Sequence, residues 1–326
     1  MITRRSMLKG SLASAALGLF GGAVMPFNAL ARAPLAGMQA PGYYRKMLGN
    51  FELTALSDGT IDLPLDTLYK NTLPEHVEER LAEIFQLPTT HISVNAYLLN
   101  AQQRLILLDT GTGSLLGPQL GRLPDNLRAS GYHPEQVDDI VLTHIHTDHS
   151  GGLVLNGQSV FPNATLHVPQ RELDFWLSRD QADKASEALK PMFREARNAL
   201  SPYIESDRLK PFADNAAPIA GVVRSVLRNG HTPGHSALVV ESQGETFVYW
   251  GDITHGDALQ FDDPGIAIDF DIDSAQAIAS RQAAFADAAR EQYLVGGAHI
   301  AFPGLGHVRR DSDNYDWVPL NYQTPL

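Results

Sequence analysis

The chain has 326 residues, 44% hydrophobic and 19% charged, enough to enclose a sizeable core. Its formal charge of −12 offers no basic face for phosphates, so no nucleic-acid partner is expected. It contains no cysteine, which excludes disulfides and thiolate-bound zinc.

Thr3-Arg4-Arg5-Ser6-Met7-Leu8-Lys9 forms a twin-arginine pattern, followed over 11–30 by an uncharged Ala/Gly/Leu-rich stretch. This is the layout of a twin-arginine secretory signal. Its glycines and Pro26 make it too weakly apolar for a permanent membrane span. Ala29-Leu30-Ala31 is a small-x-small cleavage site. The expectation is a signal peptide at 1–31, export by the twin-arginine machinery, and a periplasmic domain at 32–326.

Residues 33–49 are rich in Pro and Gly and are expected to wrap the surface. Strand-like runs follow at 51–57, 91–99, 104–109, 137–143 and 164–168, bounded by turns such as Asp109-Thr110-Gly111. Helical spacing marks 170–178 and 181–200. Strands return at 221–227, 237–241 and 246–250, a helix at 274–290 has Ser274 as its N-cap, and a last strand at 293–296 precedes a C-terminal coil. Strand sets each followed by helices suggest two sheets packed face to face with helices outside.

The strand at 137–143 runs into His144-Ile145-His146-Thr147-Asp148-His149. In an extended segment His144 and His146 point the same way and can grip one ion, while Asp148 and His149 reach a second as the chain turns. Imidazole and carboxylate suit zinc, iron, manganese or cobalt. Three later segments add donors: His231-Thr232-Pro233-Gly234-His235, Tyr249-Trp250-Gly251-Asp252 and Gly297-Ala298-His299.

The order and spacing of these segments resemble the metallo-β-lactamase superfamily over roughly residues 53–308. Phe302-Pro303-Gly304-Leu305-Gly306-His307 resembles, more narrowly, the methyl parathion hydrolase branch, which includes lactonases and arylesterases. The resemblance implies an α+β fold, a four-layer αββα sandwich with two divalent metals, zinc first, at one edge of the sheets. It implies that His144, His146 and His235 hold the first metal, that Asp148, His149 and His299 hold the second, and that Asp252 bridges them. His307 is the rival of His299, which follows its strand directly. Related di-iron oxygen reductases carry Glu at the position of His146, and true β-lactamases lack the bridging carboxylate.

Two such ions lower the pKa of a bridging water, and the hydroxide would attack a carbonyl carbon or phosphorus, with Asp148 and Asp252 orienting it. Asp109 is expected to orient a ligand histidine, and His231 to stand behind the ligands. Leu116, Trp176 and Phe193 fall where the branch has pocket walls, although helix-face core is an equally simple reading of the two aromatics; His255 and Phe270 would crowd the same pocket. An apolar pocket favours a small uncharged lactone or aryl ester, with a phosphotriester as rival substrate. A primary phosphotriesterase, a di-iron redox protein, a non-catalytic metal-binding module and a homodimer stay open.

Overall fold

The structure is a computed structural model that describes residues 33–324 and 326; the expected signal peptide lies outside them. The chain divides after Gln39, and the described residues of the first unit, 33–39, form neither helix nor strand. The second unit, Ala40–Leu326, carries every element discussed below. No helix among the described residues is long and apolar enough to cross a membrane.

Seven strands form the first sheet, in spatial order Tyr43–Leu48, Phe51–Pro64, Thr89–Asn100, Leu105–Leu108, Asp139–Val141, Thr165–Pro169 and Leu209–Phe212. Six form the second: Val223–Leu227, Ser236–Ser242, Glu245–Tyr249, Leu294–Gly296, Leu305–Asp311 and Asn314–Pro319. The period of two in each strand assigns its faces. Ile106 and Leu108 pack with Leu238, Val240, Phe247 and Tyr249 between the sheets. Leu105 and Leu107 point the other way, into a layer with Phe193, Ala196 and Leu200 of the helix Lys190–Glu205. On the far side Val239, Val248 and Val295 meet Ala284, Phe285 and Ala288 of the helix Ser274–Glu291. Helix, sheet, sheet, helix is the four-layer αββα order expected from the sequence.

Leu105–Leu108 and Asp139–Val141 run parallel in one sheet, and Glu245–Tyr249 and Leu294–Gly296 run parallel in the other. The chain leaves these strands at Asp109, at Thr143-His144, at Gly251-Asp252 and at Ala298-His299. Parallel pairing therefore sets the chemistry-bearing residues at the carboxyl ends of neighbouring strands.

Several expectations are corrected. Residues 43–48 are not surface wrap but an edge strand paired antiparallel with the next. The single helix expected at 181–200 is two, Arg179–Lys184 and Lys190–Glu205, with Ala185 extended between them and Pro191 in the first turn of the second. Asp273, not Ser274, caps Ser274–Glu291, its side chain accepting from the Gln276 N–H at 3.0 Å. The expected C-terminal coil is an antiparallel hairpin, Leu305–Asp311 with Asn314–Pro319, laced by Arg309 and Asp316.

Buried Asp58 fastens the loop that leaves the sheet after Asp109. It accepts from Thr112 N at 2.9 Å, Thr112 Oγ1 at 2.7 Å, Gly121 N at 3.1 Å and Leu123 N at 3.0 Å. Burial pushes its carboxyl up, and these donors pull it down. Asp58→Ala would strand buried donors, so stability should fall by about 3 kcal/mol or more. Calorimetry should find the melting temperature lower by roughly 5 °C; a change under about 2 °C would mean that the loop is held by other contacts.

Candidate metal centre

Two groups of donors form at the strand ends. His144, His146, His231 and Asp252 make one, and Asp148, His149, Asp252 and His299 the other, the ligand atoms of each lying within 4.8 Å of one another. Asp252 belongs to both. Its Oδ2 is 3.1 Å from His231 Nε2, and its Oδ1 is 3.0 Å from His149 Nε2 and 3.2 Å from His299 Nε2. Asp148 Oδ2 lies 3.2 Å from His299 Nε2.

Each inward nitrogen is aimed by what the other nitrogen does. His299 Nδ1 donates to the Ser93 carbonyl at 2.9 Å, leaving Nε2 to face the cluster. His149 Nδ1 meets Asp109 Oδ2 at 2.7 Å. Asp109 also receives the Thr143 N–H and hydroxyl at 2.8 Å each and the Tyr249 hydroxyl at 2.7 Å. Asp109 thus holds the ring whose Nε2 faces the cluster. His144 Nε2, His149 Nε2 and Asp252 Oδ1 are buried with no hydrogen-bond partner. Unpartnered imidazole and carboxylate atoms converging on two points fit divalent cations.

The charges are mutually dependent. Burial pushes His144 and His146 well below the ordinary histidine range. Burial opposes charge on His299 too, but the carboxylates of Asp252 and Asp148 outweigh it and lift the ring to about 10. Burial would raise Asp252, yet the imidazoles of His149 and His299 hold it well below the carboxylate range. Cations at these points would take over the role of those protons.

The histidine pair of the Pro-Gly turn is assigned the other way round from the expectation. His235 does not face the cluster: its Nδ1 donates to the Arg228 carbonyl at 2.9 Å and its Nε2 accepts the Asp252 N–H at 2.9 Å. Burial lowers it to about 3, so it is neutral, and both nitrogens are committed to backbone. His231 takes the donor position instead. Its Nδ1 is 2.9 Å from Asp271 Oδ1, and its Nε2 is 2.9 Å from His146 Nδ1. His307 lies apart, its Nδ1 on the Tyr293 carbonyl at 3.0 Å.

A cavity of about 300 Å³ opens on both groups, walled by Ile61, Leu63, Leu116, Met192 and Phe270 and lined also by His255. Leu116, His255 and Phe270 line this cavity. Trp176 and Phe193 do not: they are 0% and 1% exposed and belong to the core beneath the first sheet. Trp176 reaches the site only from behind, its ring edge-on to His146 at 5.5 Å.

Sequence reasoning missed Asp271, which no motif marks, and Glu172. The fully buried Glu172 carboxylate accepts from Ile145 N at 2.9 Å, Gly234 N at 2.6 Å and Trp176 Nε1 at 2.9 Å. It therefore ties the turn bearing His144 and His146 to the turn bearing His231. Burial pushes this carboxyl up, and the same backbone donors hold it down. An acid in the first turn of a helix is the one signal the sequence offered, and it is a common one.

A family model described as "Metallo-beta-lactamase superfamily" matches residues 89–319. Among solved structures, the hydrolase AbOPH of the beta-lactamase superfamily is 36% identical with a TM-score of 0.84, covering 88% of this chain and 100% of that one. AidC, a dizinc quorum-quenching lactonase in complex with its product N-hexanoyl-L-homoserine, is 27% identical with a TM-score of 0.81, covering 87% and 99%. An N-acyl homoserine lactonase of Bacillus thuringiensis is 26% identical over 172 residues, 47% of this chain and 60% of that protein. The chain spans 38% to 61% of the length of the curated relatives it matches.

The exchange of roles between the two turn histidines is directly measurable. His231→Ala should lose about one bound metal per chain by elemental analysis, whereas His235→Ala should keep both; the reverse result would restore His235 as the ligand. Glu172→Gln turns an amide NH2 toward buried N–H donors, so metal affinity should fall by about 10- to 100-fold in a chelator competition.

Proposed function

The chain belongs to the metallo-β-lactamase superfamily, and within it we propose a binuclear metal-dependent lactonase that opens small uncharged lactones and, with them, aryl esters. The observation that carries this reading is the apolar cavity set directly over the two donor groups. A neutral ring with one polar, cleavable bond fits such a wall better than a charged phosphodiester does. Likeness to a dizinc lactonase over nearly the whole of both chains supports the same substrate class.

His144, His146, His231 and Asp252 would hold one divalent ion, and Asp148, His149, Asp252 and His299 the other, with zinc the first choice for this donor set. Such a pair would supply a Lewis acid and a water activated at neutral pH. The remaining work falls to the chain. Ile61, Leu63 and Phe270 exclude bulk water and seat the acyl part of the substrate. Asp148, with a side chain 20% exposed against 3% for Asp252, is the more open of the two donor carboxylates and can orient an attacking water. His255 is buried, and neither ring nitrogen makes a hydrogen bond, although Nε2 lies 3.3 Å from Asp252 Oδ2. Burial lowers this imidazole to about 4, so it is neutral and keeps one N–H to offer the departing ring oxygen.

The proposal extends to location: the twin-arginine pattern and the Ala29-Leu30-Ala31 site support export and a periplasmic mature protein. N-terminal sequencing of the periplasmic protein should read from Arg32, and an intact Met1 would count against export with cleavage.

The deciding assay sets a lactone, an aryl ester and methyl paraoxon side by side with the zinc-loaded enzyme. Lactone opening should exceed triester hydrolysis in kcat/KM, and both should vanish in His146→Ala and on chelation. A triesterase efficiency about tenfold above the lactonase would make the phosphotriester the primary substrate.

A further inference from the structure

His255 follows Asp252 in a stretch that is neither helix nor strand, so no ladder holds its backbone. Buried side chains hold it instead, one from each side. Its N–H donates to Gln260 Oε1 at 2.8 Å, and its carbonyl accepts the Tyr69 hydroxyl at 2.6 Å. Both partners are themselves buried and anchored. Gln260 Nε2 donates to the Ile266 carbonyl at 3.0 Å, and Tyr69 lies in the short strand Tyr69–Lys70, paired antiparallel with Ala267–Ile268. Burial pushes the Tyr69 phenol above its ordinary range, so the hydroxyl keeps its proton and donates. Arg281 closes the segment at both ends. Its Nε donates to the Ile253 carbonyl at 2.7 Å, and its Nη1 to the carbonyls of Ile266 at 2.6 Å and Pro264 at 3.1 Å.

The ring is held by none of these bonds. It stacks on His299, with centroids 5.3 Å apart and 16° between the planes, and its Nε2 lies 3.3 Å from Asp252 Oδ2. Only the side-chain torsions χ1 and χ2 separate this imidazole from a main chain fixed at its N–H and its carbonyl. On the reading above, in which the His255 N–H meets the departing oxygen, we infer that Tyr69 and Gln260 are positioning residues for the hydrolysis: they fix the His255 backbone so that its ring stands beside Asp252, in place for the leaving group. Neither residue belongs to a donor group or lines the cavity, so their route to the reaction runs through His255. A displacement of about 1 Å in a reacting group can cost about a hundredfold in rate, which is why both sides of one residue are clamped.

The test uses the full, zinc-loaded enzyme with γ-decalactone, phenyl acetate and 4-nitrophenyl acetate, whose leaving oxygens fall in basicity in that order. Tyr69→Phe removes only the hydroxyl, and Gln260→Leu removes the acceptor of the His255 N–H. Both variants should keep their bound metal and lose kcat according to the leaving group's need for a donor, with KM little changed. The loss should be about tenfold on the lactone, within about threefold on 4-nitrophenyl acetate, and between these on phenyl acetate. His255→Phe should show the same grading more steeply. Equal losses on all three substrates in Tyr69→Phe would overturn the inference and reduce the pair to anchors of the fold, and so would an unchanged kcat. Tyr69→Phe decides the matter if Gln260→Leu fails to fold. A flat series in His255→Phe would fault the donor role of His255 itself, and the inference with it. That result is distinct from a graded series in His255→Phe beside flat ones in the two positioning variants, which overturns the inference alone. Hydrolysis of none of the three by the wild-type enzyme would sink the proposed function and everything that rests on it.

Discussion

Asp252 presents one carboxylate oxygen 3.1 Å from His231 and the other 3.0 Å from His149, so a single side chain separates and joins two sets of imidazoles. Much of the surrounding architecture keeps it there. Its own N–H is fixed by His235, and Gly251 before it has a φ of 55°, with no room for a Cβ against His235 and Thr143. Asp109, Asp271 and the Ser93 carbonyl then set the rings around it, each by occupying the nitrogen that faces away. The chemistry rests on which nitrogen is already engaged, more than on which residues are present.

That distinction marks the limit of what could be read from the chain. The His144–His149 cluster is legible because its donors are adjacent in sequence, directly after the strand Asp139–Val141. His231 and His235 are four apart in one turn, and nothing local separates them. The separation comes from Asp271 on one side and the Arg228 carbonyl on the other, and only folding brings these in. Glu172 was invisible for a related reason: its partners are backbone N–H groups, which every residue has.

The fold was legible where strands alternate between two buried faces, as from Leu105 to Leu108, and less so at the edges. Residues 43–48 read as surface because their pairing, and not their hydrophobicity, makes them a strand. The hairpin at 305–319 hid behind charges, because Arg309 and Arg310 find Asp316 and the Tyr315 ring across it. Trp176 and Phe193 show the opposite hazard. Aromatic residues on a helix near a site can serve it from inside the core, here by backing His146.

The donors come from both sheets: His144 to His149 follow a strand of the first, Asp252 and His299 follow strands of the second. Neither half of the chain holds a site. On a ribosome, the first histidines emerge long before the last, and the cation-binding geometry exists only after nearly all the chain has been made and the two sheets have closed on each other. Loading would therefore be an event of the finished molecule, because a chain that ends before His299 lacks a donor of the second group together with two strands of the second sheet.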